Sequence, residues 1–299
     1  MHTKNKIREG SRLGTFMIYA LMVIVIFITI YPVYYVLVLS LSDPAEAITM
    51  KVYWWPKGWY FGSYTLLVQN MKMWRAYANT ILYAVSNTVL MLTTCAMVAY
   101  PLSSKRLWGR KYINIFLIIP MYFSGGMIPS FLLITKLGLY SNPLSLIIPS
   151  CFSIWYIILM KSYFSSLPEA LREAARIDGA NNYQILLKVF LPMSKPIIAV
   201  IAVYTVVGVW NSWFSASIYL PTTDWQPLQL YLRRVLVQMT ASVSNDIGQE
   251  AAEMAAKQKL SGLQLRYSMI IFSTLPVMLV YPFFQKYFVK GVMLGSLKE

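Results

Sequence analysis

Charged side chains are scarce in this sequence of 299 residues. Only 12% of the residues are Asp, Glu, Lys or Arg, whereas soluble domains usually carry about 25%. Hydrophobic residues make up 58% of the chain, more than a single soluble domain of this length could bury. The shortage of charge therefore predicts a membrane protein.

Histidine and cysteine are nearly absent as well. The one histidine is His2, and the two cysteines, Cys95 and Cys151, fall inside apolar runs, where we expect buried free thiols. The sequence shows no metal-ligand cluster, no disulfide framework, and no acid–base pair or nucleophile set. It also lacks a Gly-Lys dipeptide, and with it a P-loop, so another subunit must hydrolyse any ATP. We expect a non-catalytic chain without metal or cofactor.

The net charge of +15 raises the question of nucleic-acid binding. Such binding favours basic residues gathered on one soluble face. Here the basic residues stand in short patches between long apolar runs, which is the pattern of the positive-inside rule. We therefore expect membrane lipid, and no nucleic acid, beside this chain.

Six stretches contain no Asp, Glu, Lys or Arg, and a charge in the middle of a bilayer is costly. A span needs about 20 mostly apolar residues, so each stretch is long enough to cross. The first follows a basic tail, as a signal peptide does, but it is too long for one and no cleavage site follows it. We therefore predict an all-α, polytopic membrane protein with six transmembrane helices. The predicted spans are Leu13–Ser42, Ala76–Ser104, Tyr112–Thr135, Leu137–Met160, Pro196–Thr223 and Tyr267–Gln285.

Basic residues indicate the orientation of these helices. With a cytoplasmic N-terminus, most of the 26 Lys and Arg residues lie inside, and short segments weigh most in this bias. Both termini are therefore predicted to be cytoplasmic. The predicted transmembrane domain is then 13–285, with cytoplasmic tails at 1–12 and 286–299. The remaining segments are a cytoplasmic loop at 161–195 and outer loops at 43–75 and 224–266. Interfacial anchoring is expected for the tryptophans of the first outer loop, Trp54, Trp55, Trp59 and Trp74.

None of the six runs contains an ionisable Asp, Glu, Lys, Arg or His. Proton- and ion-coupled carriers place such residues in the membrane as relays or ligands. Their absence disfavours a stand-alone carrier, although sodium sites built from carbonyls and hydroxyls are compatible with it.

The cytoplasmic loop has the signals of two short helices. Ser166 with Glu169 predicts a capping box, Pro168 suits the first turn, and Gly179 predicts a stop. A second start follows at Asn181 with Gln184, and that helix is expected to end at Leu191-Pro192. The pattern predicts a rigid knob with a small-residue face formed by Ala170, Ala174 and Ala175. A hairpin that packs on its own bundle is the alternative.

The spacing in this loop is more specific. Glu173-Ala174-Ala175, Gly179 and Val189-x-Leu191-Pro192 resemble the EAA loop of binding-protein-dependent ABC importer permeases, with Val189 in place of the usual Ile. Asp178-Gly179-Ala180 matches the commonest form of that loop. Six helices with the loop before the fifth is also the arrangement of the type I ABC importer permease fold.

The resemblance implies a mechanical role. The loop would dock on a cytoplasmic ATPase subunit, with Glu173 as the acidic contact, Ala174 and Ala175 allowing close packing, and Gly179 permitting the turn. Asp178, Leu191 and Pro192 complete the implied coupling set. The implied partners are a second related permease, two ATPases that hold ATP and Mg, and an extracytoplasmic solute-binding protein. The implied location is the bacterial inner membrane.

Two further segments resemble the carbohydrate-uptake group related to the second maltose permease subunit. They are Gly125-Gly126-Met127-Ile128-Pro129 and the tail from Gln285 to Glu299. The tail could reach towards the ATPases or, with Lys286 and Lys290, anchor at lipid headgroups. Outer loop 224–266, with a helix predicted at Gln249–Lys259, could contact the binding protein or be a solvated loop.

An oligosaccharide is the solute that this resemblance favours, and another solute such as glycerol phosphate or a polyamine is the alternative. Sugars bind to aromatic faces and to a few placed polar groups. Tyr122, Trp210, Asn211 and Trp213 fit that chemistry and are our candidates for the substrate pathway. The competing interpretations are interfacial anchoring for the tryptophans and a helix–helix hydrogen bond for the asparagine.

Overall fold

A computed structural model describes residues 12–49, 52–123, 125–222, 224–241, 262, 264–279 and 282. These residues form helices and turns, and no strand occurs among them, so the all-α prediction is confirmed. The predicted N-terminal tail up to residue 11, the helix predicted at Gln249–Lys259 and the tail 286–299 lie outside the described residues. The helices, in chain order, are α1 Arg12–Leu41, α2 Pro44–Ile48, α3 Gly62–Gln69, α4 Met71–Ser103, α5 Arg110–Tyr122, α6 Met127–Lys136, α7 Leu144–Ile147, α8 Ile154–Ser166, α9 Glu169–Ile177, α10 Asn182–Ile185, α11 Leu191–Met193, α12 Lys195–Asn211, α13 Phe214–Tyr219, α14 Leu228–Ala241 and α15, residues 264–279.

Two of these helices, α1 and α4, are long and apolar enough to cross a membrane on their own. The number rises to four if two bent helix pairs each count as one span. The first pair is α5 with α6. The second is Asn182–Met193 with α12, and the axes of that second pair meet at 81°. The six-span arrangement and the orientation stay predictions.

Proline and glycine divide two of the charge-free runs. The third run is split between α5 and α6, and Gly126 in the gap has φ 82, a backbone conformation that glycine adopts most easily. The break therefore lies at the glycine pair Gly125-Gly126. The fourth run is not one helix, because only the short α7 forms before α8 begins at Ile154. Pro143 and Pro149 lie in that stretch, and proline has no N–H for a helix interior.

The chain divides into two compact units, of which the first comprises residues 1–69 and 238–272. Its small core contains Val38, Leu39, Ala47 and Val52. Gln264, at the start of α15, contacts the residue after α1 and a residue of α3, since its amide donates to Ser42 O and its Oε1 accepts from Ser63 Oγ at 2.8 Å. The apolar window of α1 buries none of its residues in this chain, as expected for a helix that faces lipid or a partner.

The second unit comprises residues 70–237 and 273–299. In it α4 packs against α8 and α12, and Cys95, Ile157, Met160 and Ile201 are buried at their junction. Cys95 is a buried free thiol as predicted, whereas Cys151 is free but only half-buried. The cytoplasmic loop belongs to this unit, and its Phe190 packs into the same core.

Candidate coupling site

Helix α9 starts without the predicted capping box. Its first residue, Glu169, follows Pro168, and no side chain caps this end. Ser166 lies in the last turn of α8, where its hydroxyl donates to Tyr163 O at 2.7 Å. The prediction of a box between Ser166 and Glu169 was wrong, because the preceding helix runs on far enough to use the serine. The Glu169 carboxylate instead lies 3.6 Å from Arg172 Nε.

Helix α9 ends just before Gly179, as the sequence predicted. Gly179 has φ 80, and its N–H donates to Arg176 O at 3.0 Å. The next N–H, of Ala180, reaches back to Ala175 O at 2.9 Å. This pair of bonds is the Schellman motif, which satisfies carbonyls that the helix end would leave unpaired. Asp178 is the exposed residue just before the turn.

The second helix starts as predicted. Asn181 Oδ1 accepts from Gln184 N, and Gln184 Oε1 accepts from Asn181 N, both at 2.9 Å. The chain continues from α10 through a wider π-helical turn at Leu186–Phe190 into α11. Pro192 follows that turn, and its missing N–H and bulky ring disfavour regular α-helix there. We call residues 169–193 the coupling knob.

Arg172 fixes the knob to the transmembrane helices. Its side chain is only 2% exposed, and Nη2 donates to Ser103 Oγ at 2.8 Å. Its guanidinium carbon lies 4.8 Å from the ring centre of Tyr100 and 4.9 Å from that of Phe190. Burial of a cation is costly unless such partners compensate it. One side chain therefore connects α9 with the end of α4 and with the π-helical turn.

Glu173 has a partner within its own chain. Its Oε1 accepts a 2.8 Å hydrogen bond from Nη2 of Arg106, which lies in the linker between α4 and α5. The two side chains are 50% and 64% exposed. A pair this exposed contributes at most about 1 kcal/mol to stability.

The knob exposes three large apolar side chains among its exposed polar ones. Ile177 is 86% exposed, Tyr183 69% and Leu187 61%. Ala170 and Ala174 are also exposed, whereas Ala175 faces inward and packs on the core. The predicted small-residue face is thus split. Leu191 also packs on the core, and Pro192 is exposed.

Arg106, Arg172 and the exposed Ile177 were not among the residues predicted for this site. For Arg172 the helical period gives a partial signal of burial. Leu171 and Ala175 turn inward, and Arg172 lies next to the one and one turn before the other on the same side of α9. Arg106 gave no local signal, because it lies 67 positions from Glu173.

The four candidates for the substrate pathway differ in their surroundings. Trp210 is 6% exposed, its Nε1 donates to Ser273 O at 3.1 Å, and its ring meets Tyr77 edge to face at 5.9 Å. It is a packing residue in this conformation, which agrees with neither a stacking surface nor an interfacial anchor. Asn211 Nδ2 donates to Val207 O within its own helix. Tyr122 lies at the end of α5 and is 80% exposed.

Trp213, the fourth candidate, lies between α12 and α13 and is half-buried. The guanidinium carbon of Arg233, on α14, is 3.4 Å from its ring centre. One face of this indole is therefore already covered by an arginine, and a sugar ring cannot stack on that face.

The known proteins that this chain resembles are components of transport systems. The model of the family described as "Binding-protein-dependent transport system inner membrane component" matches residues 91–294. The polygalacturonan/rhamnogalacturonan transport system permease protein of Bacillus subtilis is 31% identical over 96% of this chain and 99% of its own length. The arabinooligosaccharides transport system permease protein of the same organism is 24% identical over 90% of both chains. A crystal structure of a bacterial ABC transporter involved in the import of the acidic polysaccharide alginate contains a chain with 33% identity and a TM-score of 0.83, covering 94% of this chain and 98% of that one.

Proposed function

This chain belongs to the family of binding-protein-dependent transport system inner membrane components, and from that premise we propose that ATP hydrolysis on separate subunits drives it to carry an oligosaccharide across the membrane. Membership makes it a non-catalytic permease subunit of an ABC importer in the bacterial inner membrane. The type I importer permease fold follows from the likeness to the alginate transporter chain.

The coupling knob is the observation that carries this proposal. Its base is fixed to α4 through Arg172, while its outer face exposes Ile177, Tyr183 and Leu187. A segment that is anchored to a membrane helix and also exposes large apolar side chains suits a lever that receives force from a partner and passes it to the membrane helices. We assign that partner as the ATPase subunit, with Glu173 as the charged contact and Gly179 as the turn.

The assembly that we propose has four kinds of subunit. They are this chain, a second related permease, two ATPases that hold ATP and Mg, and an extracytoplasmic binding protein. The proposed topology has six spans with both termini inside, which brings the knob to the ATPase side. The tails and the outer loops keep the boundaries given above.

An oligosaccharide is the proposed solute because the relatives named above transport polygalacturonan or rhamnogalacturonan, arabinooligosaccharides and alginate. Within the pathway, Tyr122 and Asn211 are the exposed candidates for contact with it. Trp210 supports the wall by packing on Tyr77, and Trp213 acts through Arg233.

Purification from native membranes in mild detergent tests this function. We expect an ATPase and a second permease to co-purify, and we expect hydrolysis to rise when the binding protein and an oligosaccharide are added together. A chain that purifies alone and moves oligosaccharide into liposomes without ATP would contradict the proposal.

A further inference from the structure

We propose that Arg233, held flat against Trp213, is a binding site for the carboxylate of an acidic sugar residue in the transported oligosaccharide; this inference rests on the function proposed above. Trp213 is the positioning residue and Arg233 is the residue that contacts the ligand.

Contact with the indole orients the arginine. At 3.4 Å from the ring centre, the guanidinium carbon is in van der Waals contact with one face of Trp213. Stacking of this kind covers a face of the guanidinium and leaves the N–H groups on its edges free. Those groups form a planar fork that matches the two oxygens of a carboxylate. The side chain of Arg233 is itself exposed.

The helix that carries Arg233 is anchored at its start by α4. Thr80 Oγ1 accepts from Leu228 N at 2.8 Å, and Asn79 Nδ2 donates to Asp224 O at 2.9 Å and to Gln226 O at 3.1 Å. These bonds are largely buried, so they hold the first residues of α14 in place. A site on a fixed element loses less freedom when it binds a ligand.

The charges nearby leave Arg233 available to an anion. Asp224, which precedes α14 in sequence, is paired with Arg75 at 3.0 Å. Arg234 donates to Gln226 Oε1 at 3.1 Å. Among the described residues no carboxylate pairs with Arg233.

A small cavity with a few polar groups adjoins the same stretch of chain. Ser212 and Ser215, on either side of Trp213 in sequence, line a cavity of about 50 Å³ together with Asn87. The Asn87 Oδ1 atom is buried and has no hydrogen-bond partner within the described part of the chain. This volume admits a hydroxyl group or a single water, not a sugar ring. The arginine fork and the polar groups of Ser212, Ser215 and Asn87 together suit a ligand that carries both a carboxylate and hydroxyls, as a uronate does.

The test compares trigalacturonate with its fully methyl-esterified form, which has the same sugars without the charge. Binding is measured by isothermal titration on the complete transporter in nanodiscs, without binding protein. The wild type is expected to bind the acid at least about tenfold more tightly than the ester, the scale of one charge-assisted hydrogen-bonded contact. Arg233→Gln should remove that preference, and Trp213→Ala should reduce it although the arginine remains.

Arg234→Gln is the matched control, because it removes the neighbouring guanidinium, which already has a partner, and it should keep the preference. Arg233→Lys keeps the positive charge without the planar fork of N–H groups, and it should keep only part of the preference for the acid over the ester. A preference that survives in Arg233→Gln, or its absence in the wild type, overturns the inference.

Two other results overturn it in different ways. Stimulation of the ATPase by binding protein with neutral arabinotriose, and not with trigalacturonate, overturns the acidic ligand and leaves the proposed function standing. Weaker docking of the binding protein to Arg233→Gln, equal for acid and ester, assigns the arginine to a protein carboxylate instead. Failure of every oligosaccharide to stimulate the wild type overturns the proposed function itself.

Discussion

Arg172 Nη2 donates a 2.8 Å hydrogen bond to Ser103 Oγ, and this bond ties the coupling knob to the C-terminal end of α4. The two residues lie 69 positions apart in sequence. Arg172 Nε has no hydrogen-bond partner among the described residues, and its nearest carboxylate is that of the half-exposed Glu169. The rings of Tyr100 and Phe190 therefore supply much of the compensation for this buried charge.

Truncation of Arg172 should loosen the knob. Arg172→Ala removes a fully buried side chain and leaves a cavity between Tyr100 and Phe190, which should cost about 3 kcal/mol of stability. Arg172→Met fills most of that space without charge, and a well-packed apolar replacement of a buried ion is often tolerated. The loss of stability in Arg172→Met should therefore be smaller than in Arg172→Ala. Thermal unfolding of the purified transporter measures both losses.

The control for this prediction is Arg176→Ala, one turn further along α9, where the arginine is exposed. It should leave the unfolding temperature unchanged. Equal shifts for positions 172 and 176, or no shift for Arg172→Ala, would contradict the role of Arg172 as a fastener of the knob.

Substitutions of Glu173 and Arg106 should affect assembly with the ATPase without affecting the stability of this chain. Glu173→Gln is expected to reduce co-purification of the ATPase, because the docked loop loses its charged contact, while the unfolding temperature changes little. Arg106→Gln should not reduce co-purification, because it frees Glu173 for the partner. Lys105→Gln serves as the neighbouring control. If Arg106→Gln lost the ATPase as completely as Glu173→Gln, the intramolecular ion pair itself would be the functional unit.

Substitutions of Gly179 should lower stability in the order in which the new residue disfavours a positive φ. Its φ of 80 is unfavourable for residues with a Cβ, while in the described part of the chain no heavy atom beyond its two sequence neighbours lies within 4 Å of where that Cβ would be. The cost of Gly179→Ala is therefore conformational, about 1–2 kcal/mol, and Gly179→Val should cost more. Gly179→Asn should be the mildest, because asparagine visits this region most readily. Unfolding temperatures and sugar-stimulated ATPase activity should follow the same order, and an order set by side-chain size alone would contradict it.

The exposed face of the knob should matter for assembly only. Ile177→Ser and Leu187→Ser remove apolar surface that this chain does not bury, so the isolated subunit should unfold as the wild type does. Each should weaken capture of the ATPase in co-purification by about tenfold, as expected for loss of a buried interface side chain. Trp108→Ser changes another highly exposed residue, outside the knob, and provides the control. Unchanged capture in both knob variants would place the docking surface elsewhere.

The sequence alone determined the features that depend on near neighbours. Charge-free runs predicted a membrane protein because a bilayer excludes charge wherever the run lies. Gly179 and the Asn181–Gln184 pair predicted where α9 ends and α10 begins, because both signals involve backbone groups within a few residues. The spacing from Glu173 to Pro192 indicated the family.

The tertiary structure decided which side chains turn inward and what they meet. Ser166 satisfies a carbonyl of α8 and does not cap α9, because packing sets how far α8 extends. Arg172 is buried because α4 and the π-helical turn bring Ser103, Tyr100 and Phe190 around it. Trp210 packs on Tyr77, and Trp213 lies under Arg233. Such roles depend on contacts between residues far apart in the chain, and those contacts exist only once the helices have packed.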